Sequence, residues 1–341
     1  MRLNEIISLL EKRFPSSAAV PGDKIGLQVG SLNQNVKEVF VCVDVTSFQL
    51  PEIKKYKPDL IICHHPFMHD PIKEIDFDNK KVKMIDYLMK NKIAVYVMHT
   101  NADAAIGGLN DYLAEKYHFD FDKMQVVEQA RSPLCKLVTF VPKSHLAKLR
   151  KALGDVGAGH IGNYSHCTFS GEGIGSFLPL DKAKPYSGEV GKLAEEPEVR
   201  LETIFNLELM DDVKETLIKN HPYEEVAYDF YRLYNQDTRV GLGRIGPLKK
   251  EIVVNGKKFK HAAVGSGSAN EMIPHILDKT KLLICGEVNY HSKVLAREHG
   301  ITVKELGHYE SEFCFVDVVG QVLKILVLTI SKERFNKKMG R

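Results

Sequence analysis

The sequence predicts a layered α/β domain assembled from both ends of the chain, with a separate α+β unit inserted between them. Two alternating stretches and the break between them carry this reading. From residue 1 to about 128, strand-like and helix-like patterns take turns, as they do where helices cover the faces of a sheet. From about 134 to 234 the texture changes to strand-like segments amid many glycines. From about 250 the first rhythm returns.

In the first stretch, the valine-rich run 39–45 is a strand and 48–56 a helix. Residues 60–63 are the next strand, 82–91 a helix and 93–98 a third strand. Residues 109–117 are helical, since Leu109, Leu113 and Tyr117 fall four apart on one face. The middle stretch holds strands at 137–141, 199–205 and 226–232 with helices at 146–153 and 213–219, a pattern that favours an antiparallel sheet. Strands at 261–264, 282–285, 301–305 and 325–330 complete the chain. The expected division is 1–130 plus 247–341 for the outer domain and 131–246 for the insertion.

Composition narrows the function classes. The chain has 341 residues, 44% of them hydrophobic, enough for sizeable cores. Its 47 basic and 44 acidic residues leave a net charge of +3, so no nucleic-acid partner is expected. The lysines from Lys332 onward read as a solvated end. No apolar stretch approaches the ~20 residues that cross a bilayer, and the start reads as an amphipathic helix rather than a secretory signal. Six scattered cysteines without a CxxC pair fit reduced thiols in a cytoplasmic protein.

The chemistry-bearing residues stand just past predicted strands. His64 and His65 follow Cys63 and precede Pro66. On an extended backbone their side chains point to opposite sides, so one ion would not take both, while two neighbouring ions could take one each. His99, with Asp103 four residues on, follows the strand 93–98, and His308 with Glu312 follows the strand 301–305. In open α/β sheets ligands gather beyond the carboxyl ends of strands. A helix beginning at His308 would stack His308 and Glu312 on one face. Three imidazoles and two carboxylates suit Zn, Fe or Mn and leave open positions for water or substrate on two divalent ions. Asp103 also suits a helix N-cap, Glu312 a solvated helix face, and His99 a supporting place behind the ligands.

Two further groups stand near the same edge. Glu287 and His291, four apart, are candidates for an acid–base pair or for supporting residues. Gly265, Ser266, Gly267 and Ser268, between a strand and a helical pattern, are candidates for an anion-binding loop. No Lys-Ser/Thr completes a P-loop.

Taken together, these segments resemble the NIF-three-like family, whose members are often named GTP cyclohydrolase 1 type 2 homologues. The resemblance runs through Asp23 to Gly30, Cys63 to Pro66, His99 to Asp103, Gly241 to Gly246 and Gly307 to Glu312. In the middle unit it lies in Gly159 to Tyr164 and His221 to Ala227, which are similar to the family's inserted PII/CutA-like, ferredoxin-like domain. One departure is Lys24, where members often carry Asn after the Asp. The resemblance implies a dinuclear metal centre held by His64, His65, Asp103, His308 and Glu312. It also implies a homohexamer with the centres facing an internal cavity. Its expected activity is metal-dependent hydrolysis of a nucleotide or related heterocycle. A metal-storing or small-molecule-sensing protein without turnover, and a scaffold whose metals hold the fold, are the alternatives.

Overall fold

The computed structural model describes residues 1–129, 133–162, 164–236, 238–324 and 329–332. The chain opens with α1 (Leu3–Arg13), β1 (Gly26–Val29), β2 (Glu38–Cys42), α2 (Leu50–Tyr56) and β3 (Leu60–Cys63). Next come α3 (Lys80–Lys90), β4 (Ala94–Val97), α4 (Thr100–Ala104), α5 (Leu109–Lys116) and β5 (Gln125–Gln129). The inserted segment holds β6 (Pro133–Val141), α6 (Lys143–Asp155), β7 (Thr168–Phe177), β8 (Ala194–Asn206), α7 (Met210–Asn220) and β9 (Tyr228–Gln236). The chain then continues through β10 (Gly241–Val254), β11 (Lys257–Ser268), α8 (Ile273–Ile276), β12 (Leu282–Glu287) and α9 (Tyr290–Glu298). It closes with β13 (Thr302–Glu305), α10 (His308–Glu312), α11 (Phe315–Leu323) and β14 (Thr329–Lys332).

Two compact units result, Met1–Arg131 with Thr238–Arg341 and Ser132–Asp237. The expected second boundary at 246/247 falls inside β10 and is corrected to near 237. Gly241 to Gly246, which the expected division places at the end of the insertion, is strand of the outer unit: Gly241 and Ile245 pair with Gln129 and Gln125 of β5, and Arg244 pairs with Val264 of β11.

The outer unit is built on two sheets where the sequence suggested one. Their orders are β1-β4-β3-β2-β14 and β13-β12-β11-β10-β5. In the first, β14, β2, β3 and β4 run parallel; in the second, β11, β12 and β13 do. Helices cover both faces of the first sheet, which explains its unbroken apolar runs. Val39, Val41, Leu60 and Ile62 pack with α1 and α11, while their neighbours Phe40, Cys42, Ile61 and Cys63 pack with α2 and α3. In the second sheet, Leu283 and Cys285 face α8 and α9, and Leu282 and Ile284 face α5. Of the expected strand 325–330, residues 325–328 lie outside the described residues, and β14 occupies its end. Asn163 and residues 333–341 also lie outside them.

The inserted unit follows β6-α6-β7-β8-α7-β9, with an all-antiparallel sheet in the order β7-β8-β6-β9. This is the ferredoxin-like plan. Leu149, Leu153, Val213 and Leu217 of the two helices close its core against Leu137 and Leu201. No helix among the described residues is long and apolar enough to cross a membrane.

Candidate metal centre

The parallel strands of both sheets in the outer unit deliver their carboxyl ends to one place. His64 and His65 leave β3, His99 leaves β4 as the N-cap of α4, and α10 presents His308 and Glu312 after β13. The expected divergence of His64 and His65 does not occur. The extended backbone stops at Cys63, and both backbone N–H groups turn to the carbonyl of Val43. The ring centres of His64 and His65 are therefore 5.2 Å apart, and His99 lies 5.2 Å from His64 and 5.8 Å from His65.

Each imidazole has its Nδ1 tied to an oxygen that only accepts. His64 Nδ1 donates to Met98 O at 2.9 Å, His65 to Asp44 Oδ1 at 2.8 Å, His99 to Asp23 Oδ1 at 2.9 Å and His308 to Glu287 Oε1 at 3.0 Å. Such partners fix the tautomer and leave the Nε2 lone pair for a metal. Ligand atoms of His64, His65 and His99 lie within 4.8 Å of one another, as do those of His65, His308 and Glu312. His99 thus stands among the candidate ligands rather than behind them, and His65 belongs to both groups.

The carboxylates sit between the rings. Glu312 is 4% exposed, with Oε1 3.2 Å from His308 Nε2 and 3.7 Å from His64 Nε2, and Oε2 2.8 Å from His65 Nε2. Asp103 Oδ2 lies 3.7 Å from His64 Nε2, and α4 begins at Thr100, so Asp103 is inside the helix and not its N-cap. Asn110 donates to the Asp103 backbone carbonyl, and the Ser266 hydroxyl donates to Asp103 Oδ1.

Two features show that this donor set fits a cation. His64 Nε2 is buried without a hydrogen-bond partner, facing two carboxylates at 3.7 Å. Gly267, at φ +56°, gives up the space over Glu312: a Cβ there would lie 2.2 Å from Glu312 Oε1. The group therefore forms a site that could hold metal, on imidazole and carboxylate donors that suit Zn, Fe and Mn.

The electrostatics of the cluster point the same way. Burial alone would lower the His65 pKa, but Asp44 and Glu312 push it up to about 10. The hydrogen bond to Glu312 leads in pushing His308 up to about 9 against burial. His64 rises too, with Asp103 and Glu312 outweighing its burial. Burial would raise Glu312, yet His308, His64 and His65 hold it well below the usual carboxylate range. Protons on these imidazoles offset the carboxylate charge. At pH 7, below the raised values of His65 and His308, these two imidazoles keep their protons, and an incoming ion must displace them. Metal affinity should therefore weaken as pH falls and strengthen as it rises toward 9 and 10. Calorimetry in buffers of different ionisation heat should register roughly two protons released per chain at pH 7.

The remaining expectations are corrected. Gly265 to Ser268 form the end of β11, not a loop, and the helix after them spans only Ile273–Ile276. The two central amides of Gly265 to Ser268 are occupied: Ser266 N–H donates to Asn110 Oδ1 at 2.8 Å and Gly267 N–H to Ser311 Oγ at 2.9 Å. The segment presents no anion cradle; it positions Asp103 and α10. Glu287 and His291 do not share a helix face, because α9 begins at Tyr290 under the Asn289 cap. Glu287 orients His308, while His291 is exposed and packs on Tyr290. Asp44 was not singled out from the sequence, although it too stands just past a parallel strand, β2.

The centre opens into a cleft of about 560 Å³ lined by His99, Asp103, His308 and Glu312 at one end and by Lys24, Glu128, Glu271 and Met272 elsewhere. A family profile described as Duf34/NIF3 (NGG1p interacting factor 3) matches residues 1–334. The chain belongs to the Duf34/NIF3 family. A Bacillus subtilis protein named GTP cyclohydrolase 1 type 2 homolog is 42% identical over 328 residues, 89% of this chain and 87% of its own. A namesake from Halalkalibacterium halodurans is 35% identical over 325 residues, with the same coverage. The crystal structure of a Bacillus cereus protein related to NIF3 superposes with a TM-score of 0.84 at 37% identity, covering 99% of this chain and 98% of that one. The Duf34/NIF3 assignment therefore rests on sequence and fold along the whole chain.

Proposed function

We propose that the protein is a dinuclear metal-dependent hydrolase acting on a nucleotide or related heterocycle. The observation that carries this reading is the cluster of His64, His65, His99, His308, Asp103 and Glu312, of which His99, Asp103, His308 and Glu312 line a cleft large enough for such a molecule. His64, His65, His99, His308, Asp103 and Glu312 would hold the ions between them, and His65, whose only free ring nitrogen is Nε2, would serve one of them. When bound, divalent ions supply Lewis acidity and draw a nucleophile from water at neutral pH.

The chain's own residues prepare that chemistry. Asp23, Asp44 and Glu287 hold the rings of His99, His65 and His308 by Nδ1, keeping Nε2 aimed inward. Asn110 and Ser266 hold Asp103. Burial of Glu312 keeps water from loosening the centre on the protein side. The substrate class follows the name carried by the relatives, and the reading includes a cytoplasmic homohexamer, as the family resemblance implies.

The test is a screen of metal-reloaded and metal-stripped protein against GTP, other nucleotides, phosphoesters and cyclic amides. Turnover that disappears on stripping and returns on reloading is expected. Fully loaded protein that is inert across the panel would contradict hydrolysis and favour a storage or sensing role.

A further inference from the structure

In β7, Gly171, Gly173 and Gly175 alternate, so one face of the strand carries no Cβ over that stretch. Its neighbour β8 fills this space at Gly175 alone: Glu198 stands opposite Gly173, and a Cβ at Gly175 would lie 2.2 Å from Glu198 Oε2, while the space over Gly171 and Gly173 is open. The segment between the two strands folds back over this floor. It is held where Lys184 N–H donates to Glu224 Oε1 at 2.6 Å and Gly191 N–H to Pro179 O at 2.8 Å. Beneath it lies a cavity of about 410 Å³ walled by Phe177, Leu180, Tyr186 and Tyr223, with Glu198 entering from the sheet. The two tyrosine rings meet at 5.7 Å between centres and 43° between planes. Ser187 Oγ, also on the lining, is buried without a hydrogen-bond partner.

The charges on this wall have one sign. Glu198, Glu224 and Glu225 line it, and no Lys or Arg side chain does among the described residues. Anions are repelled there, and a neutral apolar guest would strip water from Glu198 without replacing it. Aromatic faces beside a carboxylate are the combination that holds an organic cation. We infer that the inserted unit carries a binding site for a small amine or guanidinium on an apolar body, with Glu198 pairing the charge and Tyr186 and Tyr223 holding the body.

The test titrates the full chain with benzylammonium, using benzyl alcohol as the neutral match, followed by NMR. Wild type should bind the cation saturably and prefer it to the alcohol by about tenfold. Glu198→Gln should remove that preference and leave alcohol binding unchanged. Gly175→Ala keeps the charge but pushes the carboxylate aside, so it should also weaken the cation selectively; it carries the test if Glu198→Gln does not fold. Equal binding of the two probes by wild type, unchanged cation affinity in both variants, or no saturation up to about 10 mM would overturn the inference.

Discussion

Arg244→Ala should destabilise the outer unit by about 3–5 kcal/mol, the usual result of stripping one partner from a buried ion pair. Arg244 is 2% exposed, and its Nε lies 2.5 Å from Asp111 Oδ1. Nη1 donates to the carbonyls of Gly241 at 2.6 Å and Gly243 at 2.9 Å, and Nη2 approaches those of Ala104 and Ala105, both at 3.4 Å. One guanidinium thus ties β10 to the end of α4, the helix that carries Asp103. Alanine leaves a buried carboxylate and these carbonyls without their donor. The fall should register as a lower urea midpoint at unchanged slope. A loss below about 1 kcal/mol would mean that water or a neighbouring cation replaces the guanidinium.

Glu312→Ala should cost the centre its metal. This carboxylate lies within 3.7 Å of His64, His65 and His308 and is nearly enclosed by protein. Its removal takes away a ligand and the negative charge that offsets any bound cation. Zinc affinity, measured by competition with a chelator, should drop at least about a hundredfold, and metal-dependent turnover should vanish with it. Asp44→Ala, which only frees the far side of the His65 ring, should fall in the ~10–100-fold range typical of supporting residues. Zinc binding within tenfold of wild type in Glu312→Ala would remove this carboxylate from the site.

The positions of the candidate ligands were legible because they obey a simple rule. Apolar runs end, and ligand-type residues begin, at the carboxyl ends of parallel strands. His308 and Glu312 could be paired from their spacing, since a short helix does begin at His308. Where the reading failed, the deciding contacts came from distant parts of the chain. The amides of Ser266 and Gly267 are taken by Asn110 and Ser311, 156 and 44 residues away, which nothing local announces. Asp44 looks like the polar face of a valine-rich strand until β3 brings His65 beside it. The spacing of Glu287 and His291 misled because Asn289, accepting from Ser292 N–H, starts the helix between them. The second sheet was not legible because its β10 segment, Gly241 to Gly246, gains its strand pairing from β5 and β11, which lie elsewhere in the chain.

The proposed function places two ions in this cluster. The most direct measurement is elemental analysis of protein purified without added metal, beside a His65→Ala, His308→Ala double variant. About two transition-metal ions per chain in the wild type, lost in the variant, is the predicted result. A wild-type chain that carries no metal and takes up none on titration would contradict it.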